Sequence, residues 1–518
     1  MKEQPATAST PATKADWFHP LLSTIDAKAW ESRLLRDETA EWSAMQRAGG
    51  AIACAVLSDF REIGGLPDAV RILVLAGKGH NGGDALLAAR ALLATRPAAT
   101  ATLVLTTAEN LLRPLTQRAL AALRAAAGVR LQVSALGQLK RELASFDLCL
   151  DGVFGFQFRP PLAEGTAELL AWVNTHPRIR LRAAVDLPSG LGGDSVETVF
   201  RADFTYATGI VKQPLVDQRA APFVGRVRYL DLGFFAEESV PAFAGDVVLL
   251  PGLLRPLAQL RPSQCDKRTF GHLLIVGGSS RYPGAVLMSV QAALRSGVGL
   301  VTAFVPEQLV PEYAAKFPEV MWIGWTPSAS GGLTLTSVEQ LLANLPRATA
   351  LVVGPGLGAE PETLAAIAAL VRGTTLPLLL DADALRPEIV TAAGRPWVLT
   401  PHAGELARLG GLGALPPKAV VVQKGYPTCV HADGRRAWSF FGGPVLARGG
   451  SGDLLAGLLG GLLAQTPGDL WLAAARGVVW HGLAADLLAR DQGQVAVQTT
   501  QWLEYLQPAL HCADHGNT

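Results

Sequence analysis

Short runs of consecutive apolar residues recur along the chain, separated by Ala-rich stretches whose apolar positions return at helical spacing. After a helical stretch over about 25–57, the runs fall at 72–76, 103–105, 148–150, 183–185 and 227–230. A second series follows at 273–276, 300–304, 351–353, 378–380, 398–399 and 420–422. Continuous apolar runs predict strands buried on both faces, and their alternation with helices predicts parallel sheets covered by helices on each side. Between the two series, 235–246 reads FAEESVPAFAGD, mixing acids, Pro and Gly with no period, which places a domain boundary there. The halves share no motifs at matching offsets, so two unlike α/β domains are expected rather than a repeat. The expected divisions are a disordered lead-in over 1–20, a first domain over 21–236, a linker over 237–246 and a second domain over 247–512.

A length of 518 residues leaves room for two or three cores. The hydrophobic fraction is 49% and the charged fraction 17%, which suits large buried sheets and excludes general disorder. Forty-five basic against forty-four acidic side chains give a formal charge of +1, so no broad basic field exists to hold nucleic acid or an anionic membrane. The five cysteines never approach a CxxC spacing, which speaks for a reducing compartment and against a zinc site or disulfide framework. The opening MKEQPATASTPATKADW has no apolar signal core, and the run 454–464 is too short to cross a bilayer and is expected to be a buried helix. A cytoplasmic protein is expected.

Ligands of open α/β sheets bind beyond the carboxyl ends of the strands. The residues there are Gly77, Asp151 and Asp186 in the first half, and Gly277, Gly354, Asp381, His402 and Lys424 in the second. After the run ending at Ala76 comes GKGHNGGD, with G-x-G-x-x-G at Gly77, Gly79 and Gly82 and a helix expected from near Asp84. Its amides could approach a phosphate, though a tight turn capped by Asn81 or Asp84 would look the same. Asp151 in DGVFG and Asp186 in DLPSG, where a turn presents Ser189, add acids that a lone helix cap would also explain. Asn81, Asp151 and Ser189 together offer oxygen ligands with one formal charge, which suits a monovalent cation better than Mg²⁺ or Ca²⁺.

In the second half, 442–464 reads GGPVLARGGSGDLLAGLLGGLLA, where Gly449, Gly450 and Gly452 could aim amides at one anion while Asp453 serves as a base. A Ser451 or Asp453 cap after a flexible turn is the plainer alternative. Lys424 at the end of VVVQKGYPT could meet nucleotide phosphate or stand as a solvated charge, and His402 with Glu405 in TPHAGE could be ligands or a capped loop. GPGLG at 354–358 and DADAL at 381–385 make two further turns.

GxGxNGGD, DGVFG, DLPSG and ADFTYATGIVKQP resemble, in order, the motifs of the YjeF N-terminal family, the NAD(P)H-hydrate epimerases, over about 25–235. The resemblance implies a Rossmann-like α/β/α sandwich with potassium at Asn81, Asp151 and Ser189. Hydrated dinucleotide would lie against His80, Asn81, Gly82, Gly83 and Asp84, against Gly155, Phe156, Gln157, Phe158, Arg159, Pro160 and Pro161, and against Asp186 as the acid/base residue. The chain departs from the family at His80 and Ala85, at Phe156 and Gln157 where the family runs Thr-Gly, and at Arg159, one place early.

FGHLLIVGGSSRYPGA, ALRSGVGLV, GPGLG, DADAL, TPHAGE, QKGYPT and GGSGDLLAG resemble the YjeF C-terminal family, the ribokinase-like NAD(P)H-hydrate dehydratases, over about 245–510. This implies ADP at Lys424, Gly425, Tyr426, Pro427, Thr428 and Gly452, and hydrate at Ala285, Gly356, Gly358 and His402. Asp453 would be the base and Mg²⁺ would be required. Val298, Arg386 and Ser451 are the departures here. The whole chain is thus similar to a fusion that repairs hydrated NADH and NADPH, epimerising the R and S forms and dehydrating S with ADP, and a homo-oligomer is expected. The alternative is a ribokinase-like vitamin-precursor kinase fused to a noncatalytic dinucleotide-binding module.

Overall fold

The computed structural model describes residues 16–142, 145–192, 198–236, 245–329, 331–391 and 397–512. The strands of the first half are β1 (Phe18–Leu22), β2 (Arg71–Ala76), β3 (Thr100–Leu105), β4 (Leu131–Val133), β5 (Phe146–Gly152), β6 (Ile179–Val185), β7 (Phe204–Thr208), β8 (Val211–Lys212) and β9 (Arg226–Leu230). Those of the second are β10 (Val247–Leu249), β11 (His272–Val276), β12 (Leu300–Pro306), β13 (Met321–Trp325), β14 (Ala350–Val353), β15 (Leu378–Leu380), β16 (Trp397–Leu399), β17 (Val420–Gln423), β18 (Thr428–Ala432) and β19 (Arg435–Ser439).

A seven-stranded parallel sheet runs β4-β3-β2-β5-β6-β7-β9. One face packs on Glu38–Asp59, His80–Thr95 and Pro114–Ala127, and the other on Leu136–Glu142 and Glu164–Thr175, so the apolar runs are buried from both sides as expected. Strand order reverses between β2 and β5, which opens a crevice at their carboxyl ends between Gly77 and Asp151. The crevice is tight, because a Cβ on Gly77 would stand 2.0 Å from the carbonyl oxygen of Val153.

The second sheet runs β13-β12-β11-β14-β15-β16-β17-β18-β19-β10-β1-β8, parallel from β13 to β17 and antiparallel through β18 and β19. Here order reverses between β11 and β14, where the Gly278 amide donates to the Pro355 carbonyl. Ser451–Gln465 is a helix buried along its length, as expected for 454–464, and it packs with Pro283–Arg295 and Leu470–Gln492 on one face. Among the described residues no helix is long and apolar enough to cross a membrane.

The expected lead-in over 1–20 is corrected at its end. Residues 1–15 lie outside the described residues, but Phe18–Leu22 is a strand, pairing antiparallel with β10 and parallel with β8. The chain's first strand therefore extends the second half's sheet and brings β8 of the first half beside it. Of the expected linker, 237–244 lies outside the described residues, while Asp246 pairs with Arg436 of β19.

The halves meet over an apolar cluster that joins Val211, Leu215, Val224 and Val227 to Val248, Leu250 and Phe440. Beside it is a buried cluster of charges. Arg226 binds Glu62 at 2.5 Å and Asp486 at 2.6 Å, Arg228 binds Asp486 at 2.8 Å and Asp59 at 2.9 Å, and Arg490 binds Asp59 at 3.0 Å. Arg226 and Arg228 lie two apart on β9, so the period of a strand puts both side chains on one face. Asp486 and Arg490 lie four apart on Leu470–Gln492, so the period of a helix does the same there.

Asp59 sits between Arg228 and Arg490. Burial by itself would raise its pKa, but the two guanidiniums outweigh burial and hold it below the ordinary 3.8. A carboxyl depressed in this way contributes stability that is complete above the ordinary value and is lost as pH falls through the lower folded one. Asp59→Asn should therefore destabilise the chain at pH 7 by about 3 kcal/mol. In urea titrations the gap from the parent should narrow below pH 3.8.

Candidate functional site

In the first half, a helix begins at His80 rather than near Asp84, with Gly79 as its N-cap and no side chain bonded across its first turn. Neither Asn81 nor Asp84 is the cap, and the free amides of this first turn face the crevice at the sheet's switch point. His80 is partly exposed, 3.8 Å from Glu41, and burial lowers its pKa, so the imidazole is neutral at pH 7. Asp151 lies inside β5 rather than after it. Its carboxylate accepts from the Ser189 hydroxyl at 2.6 Å, the Ser189 amide at 2.8 Å and the Val153 amide at 3.2 Å. Burial nevertheless pushes its pKa up to about 6. The Asn81 backbone lies against Gly152, where an added Cβ would stand 2.7 Å from its carbonyl oxygen, so Asn81, Asp151 and Ser189 are neighbours.

Asp186 follows β6 with φ of 64°, a backbone state that non-glycine residues rarely adopt and that clusters at functional sites. Its carboxylate accepts from Lys212 at 2.5 Å, and Lys212, which is 1% exposed, lies 3.7 Å from Glu31 and 5.0 Å from the Phe156 ring centroid. A Cβ added at Gly155 would stand 3.5 Å from both the Asn81 amide and the Asp186 carboxylate. Phe158 packs on Phe154, whereas Gln157, Arg159, Pro160 and Pro161 are exposed at the rim. Asp84 is raised by burial and by the charges of Asp186 and Glu31, and Glu31 is pushed up to about 7 by burial, with Lys212 opposing. Glu31 and Asp84, both raised, thus offer a proton donor beside the Asp186–Lys212 pair. Glu31 and Lys212 were not singled out from the sequence. Lys212 stands inside the quoted ADFTYATGIVKQP, while Glu31 lies on Thr24–Leu34, outside every motif.

In the second half the strand-end residues converge on the start of the helix Ser451–Gln465. Its N-cap is Gly450 with φ of 88°, and no side chain caps it. The Ser451 hydroxyl donates backward to the Arg448 carbonyl at 3.1 Å, and the Ser289 hydroxyl donates to the Asp453 carbonyl at 2.9 Å. The capped-turn alternative is thus not what forms; the Ser451 amide donates to the Arg448 carbonyl at 3.4 Å, and the Gly452 amide remains open to an anion. Lys424 donates to Asp381 at 2.8 Å, lies 3.7 Å from Glu405 and reaches Gly452. The carboxylates around it, Asp381 foremost, raise its pKa against the effect of burial. Asp453 is pushed up to about 6 by burial and by the charge of Asp381, with Lys424 opposing.

Gly356 approaches Ala285, where an added Cβ would stand 2.9 Å from that of Ala285, and the Gly358 amide donates to Asp383 at 2.9 Å. These contacts link the GPGLG turn to DADAL and so to Lys424. His402 behaves as the capped loop: its Nδ1 accepts from the Gly404 amide at 3.0 Å while Glu405 accepts from the His402 amide at 2.8 Å. Its ring remains 61% exposed. The Tyr426 hydroxyl meets the backbone of Val227 on β9, accepting from the amide at 2.7 Å. Asp383 was passed over as an individual residue, although DADAL had marked its turn, whereas Asp381 and Glu405 had been noted after strand ends without a role.

Known proteins resemble the chain along nearly all its length. The NAD(P)H-hydrate dehydratase family matches residues 273–508, and the family described as YjeF-related protein N-terminus matches 42–214. A bifunctional NAD(P)H-hydrate repair enzyme of Gloeobacter violaceus is 36% identical over 86% of this chain and 89% of its own. One of Moorella thermoacetica is 32% identical over 85% and 87%. The solved structure of an ADP/ATP-dependent NAD(P)H-hydrate dehydratase from Bacillus subtilis, co-crystallised with ATP and Mg²⁺, is 26% identical with a TM-score of 0.42, covering 50% of this chain and 96% of that one.

The enclosed ammonium of Lys212 should be indispensable to the first site's packing. Lys212→Met leaves Asp186, Glu31 and Asp84 without a counter-ion and should cost about 3–5 kcal/mol, measured by urea unfolding of the whole chain at pH 7.

Proposed function

The chain belongs to the family of bifunctional NAD(P)H-hydrate repair enzymes, and on that premise we propose how its two sites divide the work. The first half epimerises the R and S forms of hydrated NADH and NADPH, and the second dehydrates the S form at the expense of ADP. We assign 21–236 to the epimerase and 247–512 to the dehydratase.

In the epimerase, the open amides of the first turn from His80 suit the pyrophosphate of the dinucleotide, with Gly82, Gly83 and Asp84 following and 155–161 closing over it. Asp186 is the acid/base residue at the hydroxyl-bearing carbon. Lys212 orients its carboxylate by direct contact, while Glu31 and Asp84 hold protons for return. Potassium fits Asn81, Asp151 and Ser189. Asp151 is a buried carboxylate, and the Asn81 side-chain nitrogen is buried with no hydrogen-bond partner, so turning the amide over offers an oxygen at that spot. When bound, the ion supplies positive charge beside the dinucleotide's phosphates.

In the dehydratase, ADP lies along Lys424, Gly425, Pro427, Thr428 and Gly452. The hydrate lies against Ala285, Gly356, Gly358 and His402. The observation that carries the reading is Asp453 at an uncapped helix start, facing the Lys424 ammonium across Gly452. Asp453 takes the proton of the ring hydroxyl as that oxygen attacks the β-phosphorus of ADP, and AMP leaves. The phosphorylated hydroxyl then departs as phosphate and the adjacent ring carbon releases a proton to water, which restores the dihydronicotinamide double bond. The open amide of Gly452 stabilises the phosphoryl group in flight. Among the described residues no group of three or more His, Cys, Asp and Glu is arranged to hold a metal, so Mg²⁺ fits here as an ion carried mainly by the nucleotide's phosphates. Bound there, it neutralises their charge.

Asp453 must be ionised to act, so dehydration should fall about tenfold per pH unit below its pKa of about 6. Asp453→Asn should lose roughly 10²–10⁴-fold in NADH regeneration, leaving epimerisation intact. Asp186→Asn should do the reverse, so that a mixture of hydrates is repaired only as far as its S fraction; parent-like rates in either variant would refute the assignment. Replacing sodium by potassium should raise both epimerase activity and the thermal midpoint of the parent. Neither effect should survive in Asp151→Ala, and a scan identical in the two salts for the parent would dismiss the ion site.

A further inference from the structure

The loop between β17 and β18 is held at two ends. Lys424 is fixed within the dehydratase site by Asp381, whereas Tyr426, two residues on, reaches into the other half of the chain. Its hydroxyl accepts from the Val227 amide at 2.7 Å and donates to the Val227 carbonyl at 3.0 Å, with the Phe440 carbonyl farther off at 3.4 Å. β9 is the edge strand of the seven-stranded sheet. The Arg226 amide donates inward to the Asp203 carbonyl, so by strand periodicity the Val227 amide and carbonyl point outward, where an edge strand has no ladder partner. One phenol satisfies both groups. The neighbouring Arg226 also donates to the Gly442 carbonyl at 3.0 Å, and its guanidinium fills the space beside Gly443 that a Cβ would need. Gly442 and Gly443 open the segment that leads to the uncapped helix at Gly450. Two consecutive residues of the epimerase half, Arg226 and Val227, therefore brace both segments to which the nucleotide is assigned.

We propose that Tyr426 is a positioning residue for the nucleotide, holding the loop over 424–428 against strand β9, so that the dehydratase's affinity for ADP depends on the epimerase half. The inference rests on the assignment of ADP to this loop and adds a second domain to that site. Replacing the phenol by phenyl keeps the ring packing and removes only the hydroxyl. The loop then loses its outer anchor, while Asp453 and its surroundings stay in place.

The test uses the full chain with Mg²⁺ and ADP. Binding of ADP is measured by calorimetry, turnover at saturating ADP with the S hydrate, and amide exchange at Val227 by hydrogen exchange. Tyr426→Phe should weaken ADP binding by about three- to tenfold, the range of one net hydrogen bond. Turnover at saturation should stay within twofold of the parent, and the Val227 amide should exchange faster. Unchanged ADP affinity, or a loss confined to turnover, overturns the proposal. Lys424→Ala separates this from the assignment beneath it. If Lys424→Ala weakens ADP binding and Tyr426→Phe does not, the clamp is wrong and the nucleotide site stands. If neither alters binding, the loop is not the nucleotide site and both fall.

Discussion

Three arginines and three carboxylates are buried where the halves meet, and the relation between the two sheets hangs on that balanced cluster. Such a cluster is a weak source of net stability, because each group gives up its hydration on entering the protein. Its hold on geometry is strong, since displacing any member leaves an uncompensated charge in a low dielectric. Asp486 makes the point. It binds Arg226 with one oxygen and Arg228 with the other, so its helix cannot slide along β9 without losing one of them. Gln494 adds a neutral tie to Glu62, and Tyr206 another to Asp59.

The same physics, carboxylates outnumbering the cation they share, recurs in each candidate site. Lys212 faces Asp186, Glu31 and Asp84; Lys424 faces Asp381, Glu405 and Asp453. At the interface three guanidiniums meet three carboxylates and the charges balance. In the sites the acids outnumber the cation, and burial and neighbouring carboxylates raise Glu31 to about 7 in the first and Asp453 to about 6 in the second. The distinction between scaffold and chemistry lies in this count of charges rather than in burial, which is common to all three.

Strands with an unbroken apolar run and both faces covered were legible in the sequence, as β2, β5, β6, β11 and β14 illustrate. Those that carry polar residues inward were not. In β7, FTYAT, Thr205 is buried because its hydroxyl donates to the Val224 carbonyl at 2.7 Å, a partner no run of letters reveals. β18 and β19, TCVHA and RRAWS, form an antiparallel pair whose polar positions stay partly exposed, so the apolar run is interrupted. β1 exists because β10, more than two hundred residues away, offers it an edge. The site was legible wherever chemistry fell at a strand end within a motif. Glu31 and the role of Tyr426 were hidden for the same reason as β1, since each depends on what a distant segment places opposite it.

Arg226, Val227 and Arg228 show how one short stretch can serve two ends. Alternation along a strand sends the two guanidiniums to one face, into the charge cluster, and the Val227 side chain to the other, into the apolar cluster that also contains Phe440. The strand's third direction, the hydrogen-bonding edge, is left to the Tyr426 phenol. Because all three are fixed by a single backbone path, the interface cannot shift while the edge stays still. A movement of the epimerase sheet large enough to strain the arginines also moves the amide that anchors the loop beside Lys424. The two halves have separate sheets with separate switch points, yet through this strand they share one set of coordinates.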